Sequence, residues 1–264
     1  MRRQAWFEIH DSAWFPAKLR DLVTEGLEKV WEANHTYRPI TGRLRRALRQ
    51  ARTQQVVDLC SGGGGPWLGL LRDIADGRRL QVCLTDLYPN AQLMKRVAGT
   101  GNGIQAYGEP VDAKRIPEKL RGFRTMFSSL HHFDPDEARA ILADAFQKRE
   151  GIGVFEAARP KLKTVLLVTG VPLLALKAAL QQRPFRRRLF FWSWIVPVVP
   201  TVLWLDGVLS CLRSYSEADM RELIAELKAP DYAWEVGIDR GGLVEIQYLV
   251  GVPVDPARID PGST

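Results

Sequence analysis

Residues 56–65 read Val-Val-Asp-Leu-Cys-Ser-Gly-Gly-Gly-Gly and run into Pro66-Trp67-Leu68. A β-branched run stops at an acid, turns through four glycines and opens a helix with proline at its first position. Glycine tolerates φ > 0 and lets a ligand approach bare backbone. Proline costs nothing at a helix start, where its missing N–H has no partner to lose. Strand, tight bend and helix N-terminus in this order confine the chain to one setting, the crevice in which open α/β sheets bind nucleotides.

The next strand-like run, Leu80 to Thr85, leads to Asp86, 24 positions after Gly62. That is near the spacing at which a doubly wound fold offers a carboxylate to ribose hydroxyls. A carboxylate has only acceptors and can take both hydroxyl protons. Leu87 and Tyr88 follow as apolar surface suited to one adenine face, and the loop Tyr107 to Asp112 supplies another acid. Phe123 to Ser129 is a further strand leading into Leu130-His131-His132-Phe133. Asp134-Pro135-Asp136-Glu137 marks a helix start, with Asp134 as N-cap, Pro135 at N1 and Glu137 at N3. Ile152 to Phe155 reads as a fifth strand, and Tyr232 to Ile238 and Leu243 to Val250 flank Asp239-Arg240-Gly241-Gly242 as a closing hairpin.

Asp58-x-Cys60-x-Gly62-x-Gly64 resembles the first motif of class I S-adenosylmethionine (SAM)-dependent methyltransferases, with Cys60 where that family usually has its first glycine. The Leu-His-His-Phe phrase and the hairpin, which nicotinamide-binding domains normally lack, extend the resemblance over residues 50–160 and 214–250. It implies an α/β fold: a doubly wound, seven-stranded, mostly parallel sheet with an antiparallel C-terminal hairpin. It implies SAM as cofactor, surrounded by Asp58, Cys60, Ser61, Gly62 and Gly64 of the bend, by Asp86 and Leu87, by Asp112 at the adenine amino group, and by Ser128. Tyr37 is the candidate to meet the cofactor carboxylate. Asp58 also has a structural reading, as the group that orients the loop amides. His131 or His132 is the candidate general base, since imidazole takes a proton near neutral pH; histidines in this phrase also serve structurally. No metal is expected.

A chain of 264 residues with 46% hydrophobic and 25% charged residues can bury a full globular core. Three cysteines, at 60, 83 and 211, form no Cys-x-x-Cys pair, and no signal peptide precedes them, which reads as a reducing cytoplasm. Cys60 and Cys83 are expected in central strands as small core residues. A net charge of +7 points to an anionic partner. The basic residues cluster at Arg43, Arg45, Arg46, Arg49 and Arg52, and at Arg183 and Arg186–Arg188. Nucleic-acid binders couple such clusters to a recognisable module; none is visible here, and a solvated helix face is the plainer reading of 43–52.

The layout is an N-terminal helical cap (1–53) over the cofactor site, a core (54–160 and 214–252), an apolar insertion (161–213) and a tail (253–264). Within the insertion, 164–180 carries Lys177 as its sole charge, and 189–205 carries none. A helix over 189–205 would span about 25 Å, short of the roughly 30 Å hydrocarbon core, and Pro197 and Pro200 interrupt it. Trp192, Trp194 and Trp204 beside arginines suit a membrane interface. Three readings fit: a lid over a lipophilic pocket, a homodimer face, or peripheral membrane contact through 189–205.

Asp206, Arg213 and Tyr215 are candidate substrate contacts beside that segment; an internal Asp–Arg pair tying the insertion down is the alternative. Ser216 with Asp219 forms a capping box. Trp6 to Pro16 is dense in aromatics, with Trp14 as a further substrate candidate, and Leu19, Leu22, Val23, Leu27 and Val30 follow at helical spacing. The expected function is methyl transfer to O or N of a lipophilic small molecule or lipid headgroup. The rival readings are an RNA or protein methyltransferase using the basic clusters, and a noncatalytic cofactor-binding or membrane-associated scaffold.

Overall fold

The computed structural model describes residues 8, 9, 12, 14–75, 79–89, 91–98, 103–182, 185–242 and 244–254, with backbone alone at 91 and 92. Trp6, Phe7, His10, Asp11 and Ala13 of the N-terminal run, Arg183, Leu243 and residues 255–264 lie outside the described residues.

Five parallel strands form most of one sheet: β1 (Gln55–Asp58), β2 (Gln81–Leu84), β3 (Ile104–Ala106), β4 (Phe123–Phe127) and β5 (Ile152–Glu156). The antiparallel strands β6 (Tyr232–Asp239) and β7 (Ile246–Pro253) complete it in the order β3-β2-β1-β4-β5-β7-β6. Strand order reverses between β1 and β4, and a crevice lies outside the carboxyl ends of strands at such a switch point. Every residue of β4 and β5 is buried, as expected for strands covered on both faces. The two-residue period divides the side chains between faces. Val56, Val82 and Phe123 pack on one face with α2 (Thr41–Gln50) and α3 (Trp67–Ala75). Val57, Met126 and Val154 pack on the other with α5 (Pro135–Gln147) and α10 (Glu217–Leu223).

Local chemistry sets the element ends. Asp134 caps α5 and Ser216 caps α10, each with a reciprocal capping box. The hairpin's second strand starts at Ile246 rather than 243, and Glu245 in the connection turns to pair with Arg159. Arg43 is no solvated charge: it donates to both Asp239 carboxylate oxygens and lies 3.6 Å over the Tyr248 ring, tying α2 to the hairpin.

A second helical layer covers the crevice. It comprises α1 (Ala17–Ala33), α6 (Leu162–Val168), α7 (Val171–Gln181), α8 (Arg187–Phe190) and α9 (Val198–Arg213). Val23 and Val30 of α1 share one apolar core with Ala175 and Ala179 of α7 and Val199 and Leu203 of α9. Gly26 permits that approach, since a Cβ there would lie 2.9 Å from Val199. The N-terminal cap and the apolar insertion are therefore one roof, and α2, expected in the cap, packs on the sheet instead. The segment 189–205 is not one helix. A π-helical turn (Phe191–Ile195) follows α8, and Pro197 opens a break at which the chain bends by 72° into α9.

The outer face of this roof is apolar. Among the described residues, every exposed large hydrophobic side chain except Trp14, Leu87 and Tyr88 lies between 162 and 212. The stretch Leu162–Gln181 is long and apolar enough to cross a membrane, with a mean hydropathy of 1.7 over its 18-residue window, of which only 17% is buried in the protein.

Candidate active site

The glycine bend leaves β1 at Asp58 and reaches α3 at Trp67. Gly62 (φ 52°), Gly64 (φ 117°) and Gly65 (φ 56°) occupy backbone that L residues rarely adopt. Cys60 adopts it as well (φ 56°), so it lies in the bend and not in a central strand. A left-handed backbone is the physical reason glycine is usual at that position. The Pro66 carbonyl accepts from the Gly69 and Leu70 amides, placing the proline just ahead of the helix rather than inside it. Asp58 is buried and accepts from Ser61 Oγ (2.6 Å), Thr125 Oγ1 (2.6 Å) and Trp67 Nε1 (3.1 Å). Burial pushes its carboxyl up to about 7 despite those donors.

Asp86, just past β2, accepts from the Gly62 amide at 2.8 Å and the Tyr88 amide at 2.9 Å, so its carboxylate stands at the mouth of the bend. On the roof side, Glu28 of α1 pairs with Arg96 at 2.9 Å, and Arg96 also donates to the Gly63 carbonyl. The other Glu28 oxygen, Oε1, is buried without a hydrogen bond, and burial outweighs Arg96 to push this carboxyl up to about 7.

At the far end, Leu130–His132 forms a 3-10 turn after β4. Glu156, the last residue of β5, accepts from the Leu130 amide at 2.8 Å and meets His131 Nδ1 at 2.6 Å. Glu8 lies 3.3 Å from His131 Nε2 and 3.8 Å from His132 Nε2, and accepts from Ser210 Oγ at 2.7 Å. The two imidazoles stack at 4.4 Å. Burial alone would lower the His131 pKa, but the Glu156 and Glu8 carboxylates outweigh it and push it up to about 10. Both ring nitrogens face carboxylates and the ring favours its protonated form, which speaks against His131 as a free base.

One cavity of about 970 Å³ joins the two ends. Its lining includes Asp58, Cys60, Ser61, Gly62, Asp86 and Leu87 at the bend. Ser128, His131, His132 and Asp206 also line it. Val23, Leu27, Leu167, Val171, Leu174 and Leu203 form an apolar wall from the roof.

Of the other predicted residues, Gly64, Asp112, Tyr37, Arg213, Tyr215 and Trp14 lie outside that lining, while Asp206 is on it with a structural bond of its own. Gly64 backs onto Leu68 and onto Leu93 and Arg96 of α4 (Ala91–Val97) behind the bend. Asp112 is exposed and caps its own turn through the Lys114 amide, because its loop runs outward after the Val111 amide bonds the Asp86 carbonyl. Tyr37 is buried behind Ser128, bonded to its Oγ at 2.6 Å, and lines a separate hollow of about 290 Å³. Arg213 donates to the His132 carbonyl and Tyr215 to the Phe133 carbonyl, so both hold the histidine turn from outside. Trp14 is 70% exposed and does not line the cavity. Asp206 accepts from the Ile9 amide, not from Arg213, and anchors the N-terminal segment. Sequence reasoning missed Glu8, Glu28 and Glu156. Glu156 had a signal: like Asp58, it is an acid ending a buried strand.

Sheet order, switch-point crevice and closing hairpin together define the class I methyltransferase fold. No family model matches the chain, and a comparison with curated proteins finds no match. Solved structures are. A plantazolicin methyltransferase, BpumL, in complex with SAH superposes with a TM-score of 0.57 at 8% identity, covering 92% of this chain and 94% of its own. Human N-acetylserotonin methyltransferase in complex with SAM gives 0.54 at 11% identity, covering 94% of this chain and 60% of its own. At such identities the likeness is one of fold.

Proposed function

We propose that the protein is a SAM-dependent methyltransferase acting on O or N of a lipophilic acceptor. The observation that carries this reading is the single cavity running from the glycine bend and Asp86 to the histidine turn. Its volume is at the upper end of the roughly 300–1,000 Å³ of ligand sites, enough for a cofactor and a second molecule side by side. Asp86, Glu28 and Asp58 give the cofactor end a carboxylate-rich wall that suits a cationic sulfonium, and the two solved relatives are named as complexes of SAM or its product. The donor is already activated, so holding the acceptor in line with the methyl supplies much of the catalysis, about 7–11 kcal/mol. With both His131 nitrogens facing carboxylates, His132, less buried and 3.8 Å from Glu8, is the imidazole more available to the acceptor.

The apolar wall supports a lipophilic acceptor, and the roof's outer face supports a lipid source for it. None of the residues of α6 is buried, although five of its seven are Leu or Val. Thr164, Leu167 and Val168 turn toward the cavity, and the exposed Leu162 and Leu166 form an apolar outer side that a covering phase would bury. Exposed Trp194 and Trp204, and the exposed Arg187 and Arg188 of α8, suit anionic headgroups.

Calorimetric titration with SAM tests the cofactor reading. We expect wild-type binding that Asp86→Ala abolishes; equal affinity in the variant overturns the assignment of Asp86, and no binding by the wild type overturns the function. Flotation with anionic vesicles at low salt tests the membrane reading, which fails if the wild-type protein stays in the unbound fraction.

A further inference from the structure

We propose that Glu8, His131 and His132 form a divalent transition-metal site of the zinc type at the acceptor end of the cavity. One ligand atom from each, all within 4.8 Å of one another, faces a common point, and Glu8 and both histidines line the cavity. Zinc bonds of about 2.1 Å set tetrahedral ligand atoms about 3.4 Å apart. His131 Nε2 lies 3.3 Å from Glu8 Oε1, which meets that spacing, and His132 Nε2 lies 3.8 Å from the other oxygen, Oε2, so the two imidazoles meet opposite oxygens of one carboxylate and a small rotation brings both to a single ligand atom. The ion takes the place of the Nε2 proton of His131.

The surroundings are those of a metal ligand set. Glu156 holds His131 Nδ1, which turns Nε2 toward Glu8, the carboxylate–histidine arrangement that orients metal-bound imidazoles. Glu156 is itself fixed by the Leu130 amide, and Glu8 by Ser210 Oγ. Two imidazoles and one carboxylate select zinc-like ions over magnesium or calcium, which prefer oxygen throughout. Three protein ligands leave the fourth position open toward the cavity.

The site itself stands on this geometry; its use on an acceptor rests on the methyltransferase reading. In that use an acceptor hydroxyl takes the fourth position and gives its proton to solvent. Its oxygen then bonds the methyl carbon while the carbon–sulfur bond breaks onto sulfur, leaving a neutral thioether. His132 then acts as a ligand rather than as a base.

The test titrates metal-stripped full-length protein with Zn²⁺ against a chromophoric chelator, and with Co²⁺ followed by its visible absorption bands. We expect one ion per chain, tetrahedral-type Co²⁺ bands, and affinity at least tenfold weaker in His132→Ala and Glu8→Gln. Glu156→Gln should weaken it by about 10–100-fold through orientation alone. His132 is only half-buried, so its variant stays informative if His131→Ala fails to fold. Absence of stoichiometric uptake, or unchanged affinity in His132→Ala, overturns the proposal. SAM titration of the same metal-free preparation separates the readings, because SAM can fail to bind while the ion binds, and the reverse.

Discussion

Replacing Glu28 by glutamine should leave stability unchanged near pH 5 and raise it above pH 7. In the native state this carboxyl has 4% of its surface exposed, one oxygen on Arg96 and the other without a hydrogen bond. Burial outweighs the Arg96 charge, and the pKa rises from 4.5 to about 7. Between those values the folded protein holds a proton that the unfolded chain has released. Stability from this group is complete below about pH 4.5 and is lost as pH climbs through 7. A shift of that size is worth about 3 kcal/mol at full ionisation. Glutamine carries no charge to desolvate and its oxygen still accepts from Arg96, which keeps the Gly63 carbonyl as a second partner. The Arg96 attraction is already contained in that net shift, so no further offset applies. The expected gain is about 3 kcal/mol at pH 8, or roughly 6–12 °C in Tm at this chain length. Thermal scans of ligand-free wild type and variant at pH 5, 6, 7 and 8 measure it. A Tm difference that is the same at pH 5 and pH 8 refutes the reasoning. Glu28 also lines the cavity beside the glycine bend, so the stabilised variant should bind SAM more weakly, the trade expected of a strained functional group.

Other expectations follow from the same contacts. Asp58→Ala removes the acceptor of Thr125 Oγ1 and one of the two acceptors of Trp67 Nε1 and of Ser61 Oγ in the core, and should cost about 1–3 kcal/mol by denaturation, whereas Asp58→Asn keeps an acceptor for Trp67 and Thr125 and should cost less than half of that. Cys60→Gly relieves a left-handed backbone worth about 1–2 kcal/mol, less the entropy glycine adds to the unfolded chain, and should raise Tm slightly; a lower Tm refutes the strain. Arg43→Ala loses the Asp239 fork and the Tyr248 stack and should cost about 1–2 kcal/mol, with Arg43→Lys no better, since lysine offers neither fork nor plane. Leu166→Asp with Ile195→Asp, two exposed positions on the roof, should abolish vesicle flotation with Tm unchanged.

Features written locally in the chain were legible in it. Strands β1, β2, β4 and β5 are short apolar runs bounded by turn residues, and the caps at Asp134 and Ser216 need three neighbouring residues each. Asp86 was legible because a doubly wound fold fixes its distance from the bend. Asp112 had the right type and spacing, but the direction of its loop depends on the Val111–Asp86 backbone bond, which no local pattern encodes. Arg213 and Tyr215 look like pocket groups beside an apolar helix; their donors instead reach carbonyls of the histidine turn, 81 and 82 positions away.

The least legible feature was the joining of the two apolar parts of the chain into one roof. Most of its hydrogen-bonded links to the sheet domain fall at the histidine turn, with Glu28–Arg96–Gly63 as a second attachment at the glycine bend. Glu8 reaches His131, Ser210 reaches Glu8, and Arg213 and Tyr215 grip the carbonyls of His132 and Phe133. A roof with its own core, attached chiefly at the acceptor end, transmits a change in its position to the histidine turn before the glycine bend. If lipid covers the outer face of α6 and α7, membrane docking acts on that same rigid layer. Anionic vesicles should therefore alter acceptor turnover, kcat in particular, more than SAM affinity. Measuring both with and without vesicles decides the matter: a vesicle effect confined to SAM binding would place the coupling at the glycine bend and contradict this account of the roof.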